Sequence, residues 1–422
     1  MARPTAPVRF GADDRDRIGE TAADLVARLR RHGAGPGGSV TRFVYTEPWQ
    51  AVMADLERWF SELGLEVRAD PAGSRFGRLA GERTEVVLSG SHVDSVSNGG
   101  AYDGALGVIM AGCAVAWLSG AHGRPVRTLE VIANCEEESS RFPGNLWGAR
   151  ALAGLIEPDD PGRLVDAEGN SIADAMRTCG LDPARLPEAR RSDLAAYLEP
   201  HIEQGSVLER AGEVIGVVDR VVGVRGLQVS ITGVSGHAGT LGMADRRDAL
   251  VGAAEIVLGV ERAGRGRGAP TVATVGQIEA LPGGFNQVPG LARLTIDFRH
   301  PDEEVLDQLD AELRALVAGV AAERGLGARV SRRTGQSGIR FDDRICAVLE
   351  EACGDAGVAW RRMPSLAGHD AQVIGRLCPA AMLFVPSEGG LSHRPDEETR
   401  LTHIVSGIEV LAGALFRLAY RP

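Results

Sequence analysis

The sequence predicts an α/β protein with a mixed, mostly parallel sheet, flanking helices and an inserted α+β domain. Short apolar strands alternate with helical segments in the first half of the chain and again at its end, which is typical of an open parallel sheet. Between these regions, strands with apolar–polar alternation indicate a half-exposed antiparallel sheet. We therefore expect one domain from residues 1–214 and 333–422, and an inserted domain from residues 215–332.

The elements of the first domain place polar side chains after strands. A strand at 84–89 leads to His92, and a strand at 194–198 is followed by His201. Because the carboxyl ends of parallel strands meet at one edge of a sheet, these side chains are expected to lie close together. The remaining predicted elements are helices at 13–31, 48–63, 104–118 and 401–418 and strands at 128–133 and 380–385.

The insert has the β-α-β-β-α-β order of a ferredoxin-like unit. In its first strand, Leu227, Val229 and Ile231 alternate with polar residues. A long helix begins at Pro301 with acidic residues in its first turn, which suits the helix dipole. The other predicted elements are strands at 224–232, 271–278, 291–298 and 328–332 and a helix at 245–262.

Composition restricts the chemistry, the partners and the compartment. A net charge of −11 argues against nucleic acid or an anionic membrane as partner. All 46 residues counted as Lys or Arg are arginine, which excludes mechanisms that need a lysine. The six cysteines form no C-x-x-C pair, which favours a reducing cytoplasm. With no apolar h-region after Met1 and no run of about 20 apolar residues, we expect neither a signal peptide nor a membrane span.

His92 and Asp94 form an H-x-D pair at the end of a predicted strand. A histidine that binds metal through one ring nitrogen needs a partner, usually a carboxylate, on the other nitrogen. Asp103 follows in a glycine-flanked loop, where its carboxylate could bridge two metal ions. Taken alone, the H-x-D pair could be a surface turn, and Asp103 could cap the next helix.

Glu136, Glu137 and Glu138 follow an apolar strand. Three adjacent carboxylates are costly unless a cation neutralises them, although a run of charges usually forms a solvated loop. One glutamate can bind a metal while its neighbour acts as general base. His201 and His393, at the starts of loops, would complete a site of three histidines and two carboxylates.

A series of short motifs runs along nearly the whole chain. They are G-S-H-V-D-S from Gly90, N-G-G-A-Y-D-G from Asn98, E-E-E-S-S-R-F from Glu136, H-I-E-Q-G from His201, S-G-H-A-G-T from Ser235, G-F-N-Q-V-P-G from Gly284, D-F-R from Asp297, G-H-D-A-Q from Gly368 and S-H at Ser392. In this order they resemble the amidase branch (hydantoinase/carbamoylase type) of the aminoacylase/carboxypeptidase-like dinuclear metallohydrolases. That branch contains N-carbamoyl-L-amino acid hydrolases, β-ureidopropionase, allantoate amidohydrolase and ureidoglycolate hydrolase.

The resemblance implies a metallo-exopeptidase-like catalytic domain with two divalent metal ions per chain. Zinc, manganese, cobalt and nickel all suit such ligands. Glu137 becomes the general base and Asp94 the partner of His92, while Glu136 receives no role. The implied ligands are His92 and His201 on one ion and Glu138 and His393 on the other, with Asp103 bridging them.

The resemblance also implies that the insert is a dimerisation and lid domain that supplies substrate-binding residues. His237 would stabilise the oxyanion of the tetrahedral intermediate, across the interface of a homodimer. Asn286 and Arg299 would bind the substrate carboxylate, and Gln204 its ureido end. Asn286 could instead hold a turn, and Arg299 could be a surface charge. His369 is expected to order its loop.

The expected reaction is metal-dependent hydrolysis of the C–N bond of an N-carbamoyl (ureido) L-amino acid, releasing the amino acid, ammonia and CO2. The expected partner is therefore a small ureido or amide carboxylic acid. Allantoate or ureidoglycolate hydrolysis is the alternative, and an N-acyl amino acid deacylase or dipeptidase is a weaker one. The sequence Thr240-Leu-Gly-Met243 replaces the commoner T-T-P-M, which could loosen the loop of His237. Residues near Arg141 resemble the allantoate type and those near Pro282 the carbamoylase type, so the substrate stays open.

Overall fold

The computed structural model describes residues 8–421, which divide into two compact units. The first unit extends to Asp219 and resumes at Arg340, and the second is Arg220–Ile339. The predicted insert of 215–332 differs from the second unit at both ends, because strands of the structure continue past those boundaries. The stretch directly after Met1, where the sequence predicts no signal peptide, lies outside the described residues.

The helices of both units carry charges that suit their dipoles. The first helix has acidic residues in its first turn and arginines in its last. In chain order the helices are α1 (Ala12–Arg30), α2 (Glu47–Glu62), α3 (Ala105–His122), α4 (Trp147–Ala153), α5 (Asp160–Arg163), α6 (Ile172–Thr178), α7 (Val207–Ala211), α8 (Ala249–Arg267), α9 (Glu303–Glu323), α10 (Asp343–Ala356), α11 (Ala371–Ile374) and α12 (Leu401–Ala419). Short 3-10 turns occur at Pro36–Gly38, Pro183–Ala189, Met243–Asp245 and Glu388–Gly390.

The strands fall into one large and two small sheets. In chain order they are β1 (Glu66–Ala69), β2 (Arg75–Leu79), β3 (Arg83–His92), β4 (Arg127–Asn134), β5 (Leu194–Ile202), β6 (Ile215–Val221), β7 (Gly223–Thr232), β8 (Gly236–His237), β9 (Val272–Leu281), β10 (Gln287–Val288), β11 (Leu291–His300), β12 (Gly327–Gln336), β13 (Ile339–Arg340), β14 (Trp360–Ser365) and β15 (Ala380–Val385).

The first unit is built on a nine-stranded sheet in the order β1-β2-β4-β3-β5-β15-β6-β13, with β14 paired to β6. Its central strands β4, β3, β5 and β15 run parallel, whereas β1, β2 and β6 pair antiparallel. This confirms the predicted mixed sheet with a mainly parallel centre. The carboxyl ends of the four parallel strands therefore share one edge, where the candidate site residues follow.

His201 lies inside β5 rather than after it, which corrects one detail of the prediction. β15 pairs with β5 as far as Ile202 opposite Val385, and His201 stands opposite Phe384. The predicted strand ended at residue 198 because Glu199, Pro200 and His201 are poor strand formers by composition. Parallel pairing to a buried neighbour overrides that preference.

Two long apolar helices belong to the core of the first unit. α3 packs on β3 and β5, and α12 packs on α3 and β15. By length and composition alone both could cross a membrane, but 67% of the apolar window of each is buried inside the fold. Since α3 is apolar on all sides, it reads as a helix enclosed by protein.

The second unit consists of a four-stranded antiparallel sheet in the order β12-β7-β11-β9, with α8 and α9 packed against it. The predicted alternation in β7 is confirmed, because Leu227, Val229 and Ile231 are buried in the core beneath the helices. Along the chain the order is β7-α8-β9-β11-α9-β12. β8 and β10 form a separate two-stranded ribbon that joins two loops of this unit.

Candidate metal centre

Two histidines and an aspartate meet at the ends of β3 and β5. The Asp103 Oδ1 atom lies 3.2 Å from His201 Nε2 and 3.7 Å from His92 Nε2. All three side chains are buried, and their potential ligand atoms lie within 4.8 Å of one another. Two imidazole nitrogens and a carboxylate oxygen are a donor set that suits a divalent first-row metal.

The two histidines present Nε2 because their Nδ1 atoms face acceptors. His201 Nδ1 lies 2.9 Å from the carbonyl oxygen of Ile202. His92 Nδ1 lies 3.2 Å from the carbonyl oxygen and 3.3 Å from the Oδ1 atom of Asp94. Since these oxygens only accept, each Nδ1 donates, and in the neutral form of each ring Nε2 carries the lone pair that could bind a cation.

The second oxygen of Asp103 faces a different group. Asp103 Oδ2 lies 3.0 Å from His393 Nε2, which in turn lies 3.4 Å from Glu138 Oε1. Ligand atoms of these three residues also lie within 4.8 Å of one another. His393 is the most open member, with 47% of its side chain exposed. The structure therefore brings together all five ligands that the resemblance implies, with Asp103 between the two groups.

Unsatisfied oxygens test whether these residues fit a cation. Asp103 Oδ1 and Glu138 Oε1 are buried and have no hydrogen-bond donor within the described part of the chain. Leaving a buried carboxylate oxygen without a partner costs free energy. Both orphan oxygens point into the two donor groups, where divalent cations would satisfy them. The residues present therefore fit divalent metal ions.

Burial and neighbouring charges shift the pKa values of the ligands. Burial raises the pKa of Glu138 to about 7, aided by Asp103. The hydrogen bond to Asp103 raises the pKa of His393 to about 9, against the effect of burial. Burial would also raise the pKa of Asp103, but His201 and His393 hold it well below its ordinary value. Because a metal ligand must be deprotonated, cation binding here releases protons and becomes more favourable as pH rises.

Asp94 connects the H-x-D pair to the glutamates. Its Oδ1 atom accepts a hydrogen bond from the backbone N–H of Glu137 at 3.0 Å, and its Oδ2 atom accepts one from that of Glu138 at 3.1 Å. The same carboxylate faces His92 Nδ1. One buried side chain thus fixes two ligands and the candidate base, a role wider than the H-x-D spacing indicates.

The three glutamates are enclosed, so the alternative of a solvated loop is wrong. Glu136 is 1% exposed and Glu137 is 9% exposed. Burial raises the pKa of Glu137 well above its ordinary value, His92 opposes this, and Glu138 and Asp370 add to it. Ligand atoms of Glu137, Glu138 and His92 also lie within 4.8 Å of one another, so Glu137 reaches the same space as the ligands.

Glu136 has a structural contact. Its Oε2 atom accepts a hydrogen bond from the backbone N–H of Trp147 at the start of α4, and its backbone carbonyl accepts one from Gly148. Burial, with the Asp94 charge, raises the pKa of Glu136 well above its ordinary value. We interpret Glu136 as the residue that ties the glutamate loop to α4.

The backbone conformation of Gly104 and its closeness to His92 explain why a glycine follows Asp103. Its φ of 63° lies in the left-handed region, and an added Cβ atom would lie 2.4 Å from the ring of His92. Gly104 also donates its backbone N–H to His201 Nε2 at 3.2 Å. α3 begins at Ala105 without a side-chain cap, so the alternative that Asp103 caps this helix is wrong.

Two further predicted residues contact the donor groups. Gln204 donates its side-chain amide to Asp103 Oδ2 at 3.0 Å. The ring of His369 packs against His201 at 4.5 Å between centroids, and its Nε2 atom lies 2.9 Å from Ser365 Oγ. Burial lowers the pKa of His369 well below its ordinary value. His369 therefore packs against the candidate ligand His201, while its own Nε2 atom faces Ser365.

Glu397 is a site residue that the sequence prediction missed. It is 3% exposed and accepts the backbone N–H groups of Tyr102 and Asp103. The only signal in the sequence is its place four residues after His393, which is too weak to separate it from the neighbouring acidic residues.

In the second unit, the loops of His237 and Asn286 are joined. β8 and β10 pair His237 with Gln287, and Ala238 donates its backbone N–H to the carbonyl oxygen of Asn286 at 2.8 Å. Both His237 and Asn286 are exposed. The backbone of Asn286 therefore joins the two loops, while its side chain is exposed.

Arg246 spans the part of the His237 loop that departs from the common motif. Its Nη2 atom donates to the carbonyl oxygen of Ala238 at 2.6 Å, and its Nε atom donates to that of Leu241 at 3.2 Å. A planar guanidinium that binds two carbonyls across a turn restrains it. The His237 loop is therefore restrained in this chain although the proline is missing.

Arg299 lies on β11, away from those loops. Its Nε and Nη2 atoms contact Asp297 Oδ1 and Oδ2 at 2.9 and 3.3 Å. Leu291 pairs with Leu281 at one end of the sheet and Arg299 with Val272 near the other, so eight residues of strand separate them. At about 3.4 Å per residue this is roughly 27 Å. The loops that carry His237 and Asn286 leave the sheet at the Leu291 end.

A mainly parallel sheet with this donor set at its carboxyl edge defines a metal-dependent hydrolase of the metallo-exopeptidase class. The chain belongs to Peptidase family M20/M25/M40, whose sequence model matches residues 88–417.

Relatives over nearly the full length narrow this class. The allantoate amidohydrolase of Escherichia coli (strain K12) is 40% identical over 396 residues, covering 93% of this chain and 96% of the relative. The N-carbamoyl-L-amino acid amidohydrolase of Geobacillus stearothermophilus is 37% identical over 406 residues, covering 95% and 98%. A crystal structure of an amidase of the hydantoinase/carbamoylase family from Burkholderia multivorans has a TM-score of 0.89 at 32% identity, covering 99% and 100%. These findings confirm the predicted amidase branch.

Asp94→Asn should weaken metal binding about 10- to 100-fold, because an amide cannot accept from Glu137 and Glu138 and also hold His92. Affinity would be measured by competition with a fluorescent chelator. Asp174→Asn, at an exposed position of α6, is the matched control and should bind metal like the parent. Equal affinities in all three proteins would contradict the assigned role of Asp94.

Gly104→Ala should lower the free energy of unfolding by about 1–3 kcal/mol, because the side chain must adopt a left-handed backbone next to His92. Gly120→Ala is the control within α3, since nothing lies within 4 Å of its added Cβ atom. That control should gain up to about 1 kcal/mol from reduced unfolded-state entropy. Urea denaturation of both variants measures the difference, and a neutral Gly104→Ala would refute the steric argument.

Proposed function

We propose that this protein hydrolyses the C–N bond of an N-carbamoyl (ureido) L-amino acid or a related ureido acid, releasing the amino acid, ammonia and CO2. The observation that carries the proposal is Asp103, whose two carboxylate oxygens face separate histidine-containing groups beside the buried Glu137. Full-length relatives named N-carbamoyl-L-amino acid amidohydrolase support this reaction.

Allantoate is the second candidate substrate. The allantoate amidohydrolase of Escherichia coli is 40% identical to this chain, and the Arg141-Phe142-Pro143 stretch resembles that type. Arg141 donates to the carbonyl oxygens of Val44 and Tyr45, so this stretch is held against the chain near the glutamates. Both candidate substrates are ureido acids, and they differ in the substituent on the carbon atom that carries the ureido group.

Two divalent ions, drawn from zinc, manganese, cobalt or nickel, would be held by the residues that the structure brings together. When bound, such ions polarise a carbonyl and lower the pKa of water. The proposed ligands are His92, His201 and Asp103 for one ion and Asp103, Glu138 and His393 for the other.

Glu137 is the proposed general base and acid. It accepts a proton from the water that attacks the carbamoyl carbon, and it returns that proton to the nitrogen as the C–N bond breaks. A carboxylate whose pKa is raised by burial suits both roles, because it binds the proton more firmly than an exposed glutamate does. Its backbone N–H is fixed by Asp94, which restricts where the carboxylate can point.

Substrate recognition is proposed for Gln204, Asn286 and Arg299. Gln204 already donates to Asp103, and its Oε1 atom is buried without a hydrogen-bond partner among the described residues. That free acceptor suits an N–H of a ureido group. Arg299 offers a planar guanidinium to a carboxylate, which would replace part of its contact with Asp297.

His237 is proposed to stabilise the oxyanion in the active site of a second copy, within a homodimer. The length of β11 supports this, because Arg299 and the loops of His237 and Asn286 belong to opposite ends of a strand. A small ureido acid is much shorter than the roughly 27 Å between those ends. If both groups bind one substrate molecule, two chains supply them most simply.

We also propose that the protein acts in the cytoplasm. All six cysteines are unpaired, and five of them are buried. Free buried thiols suit a reducing compartment.

Release of the free amino group across a panel of ureido acids and other amides tests the function, and ammonia release is measured as well for the ureido acids. The panel contains N-carbamoyl-L-amino acids, their D-enantiomers, allantoate, N-acetyl amino acids and dipeptides. Chelation should abolish turnover of the preferred ureido acid, and zinc, manganese, cobalt or nickel should restore it. Preference for N-acetyl amino acids or dipeptides, or turnover that ignores the chelator, would refute the proposal.

Mixing two inactive variants tests both Glu137 and the trans role of His237. Glu137→Gln and His237→Ala should each lose at least about 100-fold in kcat alone, while both retain the parent's metal content. After subunit exchange, a heterodimer has one site with both native residues, so an equal mixture should recover about a quarter of parent activity. Recovery near zero would show that His237 acts within its own chain, and a fully active His237→Ala would show that it has no catalytic role.

A further inference from the structure

Glu397 is a buried acidic residue whose carboxylate contacts two loops beside the candidate metal centre. Its Oε1 atom accepts the backbone N–H groups of Tyr102 at 2.9 Å and Asp103 at 3.0 Å. Its Oε2 atom lies 2.9 Å from Ser392 Oγ, which also lies 3.0 Å from Asp103 Oδ2. The side chain is 3% exposed, so a buried carboxylate is fully used in joining two loops.

The two loops joined by Glu397 carry the shared carboxylate and the open histidine. One is the glycine-rich loop that ends at Asp103, and the other begins with Ser392 and His393. An added Cβ atom at Gly100 would lie 2.2 Å from Glu397 Oε1, so the loop needs glycine there to receive the carboxylate. The close approach of Glu397 therefore explains the second glycine of the N-G-G-A-Y-D-G motif by packing and not by backbone conformation.

A neighbouring residue gives a contrast within the same loop. Glu398 accepts a hydrogen bond from the Tyr102 hydroxyl at 2.7 Å, but it is exposed, and this bond comes from a side chain rather than from the backbone of the Asp103 loop. An exposed contact of this kind contributes little to order, because water competes for it. Glu397 and Glu398 are therefore adjacent residues of the same type that differ in burial, so one can serve as the control for the other.

We propose that Glu397 is a positioning residue that holds the Asp103 carboxylate and His393 in register, so that both donor groups bind cations together. Asp103 belongs to both groups, and a loop that moves it weakens both at once. The inference rests on the metal centre of the proposed function. It adds a residue that touches neither the cations nor the substrate.

Three variants separate this role from general loss of structure. Glu397→Ala removes both acceptors, and Glu397→Asp is one methylene too short to reach the two backbone N–H groups and Ser392 together. Glu397→Gln keeps an oxygen for Tyr102 and Asp103 and offers its amide to Ser392 Oγ. Glu398→Gln is the adjacent control.

The measurement is the affinity of the folded protein for zinc and manganese, by competition with a chelator and without substrate. Hydrogen exchange of the Asp103 amide is followed on the same samples. Glu397→Ala and Glu397→Asp should each bind both metal ions about 10-fold or more weakly than the parent, and their Asp103 amide should exchange faster. The affinity of Glu397→Gln should stay within about 3-fold of the parent. Glu398→Gln should match the parent.

Parent-like affinity in Glu397→Asp would overturn the proposal, as would a Glu397→Gln that binds as weakly as Glu397→Asp. These comparisons decide even where Glu397→Ala does not fold. An equal loss of metal affinity in Glu398→Gln would also overturn the proposal, because the loss would then come from removing a negative charge from the loop and not from the contacts of Glu397. Since no substrate is used, a parent that binds two ions but hydrolyses no ureido acid refutes the proposed function and leaves this inference standing.

Discussion

The crowding of buried carboxylates at one edge of the central sheet is the constraint on which the structure depends. Asp94, Asp103, Glu136 and Glu137 are almost fully buried, with Glu138 close by. Desolvation penalises each charge, and the raised pKa values of the glutamates express that penalty. Hydrogen bonds from backbone N–H groups offset part of this desolvation penalty, and neighbouring histidines offset a further part. A divalent cation bound at the unsatisfied oxygens of Asp103 and Glu138 would supply further compensation.

The sheet topology makes that crowding possible. β4, β3, β5 and β15 lie side by side and parallel, so residues distant in sequence leave the sheet at one edge. Asp94 then acts across strands, because it follows β3 but accepts from the backbone after β4. Glu397 does the same after β15 for the loop before α3. Ligands come from strand ends, and the residues that hold them come from neighbouring loops.

The sequence predicts the fold class, the parallel centre and the ligand candidates because these depend on local patterns. Apolar runs locate β3, β4 and β15, and motif order places His92, Asp103 and His393. Short edge strands such as β1 and β14 escape prediction because their residues are polar or half-exposed and gain strand geometry only from a neighbour. The roles of Glu397 and Arg246 also escape, because each depends on a contact between loops whose approach no spacing encodes. Glu136 shows the same limit, since its partner Trp147 begins α4 after a loop with left-handed residues at Ser139 and Leu146.

Chemistry and specificity are distributed over parts of the chain with different degrees of constraint. The proposed ligands and base are mostly buried, and Asp94 and Glu397 hold the backbone of several of them by hydrogen bonds, so few substitutions preserve them. His237 and Asn286 are exposed, and their loops are held chiefly by one ribbon and by Arg246. If these residues bind substrate as proposed, changes there would alter recognition at little cost to stability, because surface substitutions rarely exceed about 0.5 kcal/mol. A family can therefore keep one hydrolytic centre while its members accept different ureido acids, which is why motifs at the ligands identify the reaction and leave the substrate open.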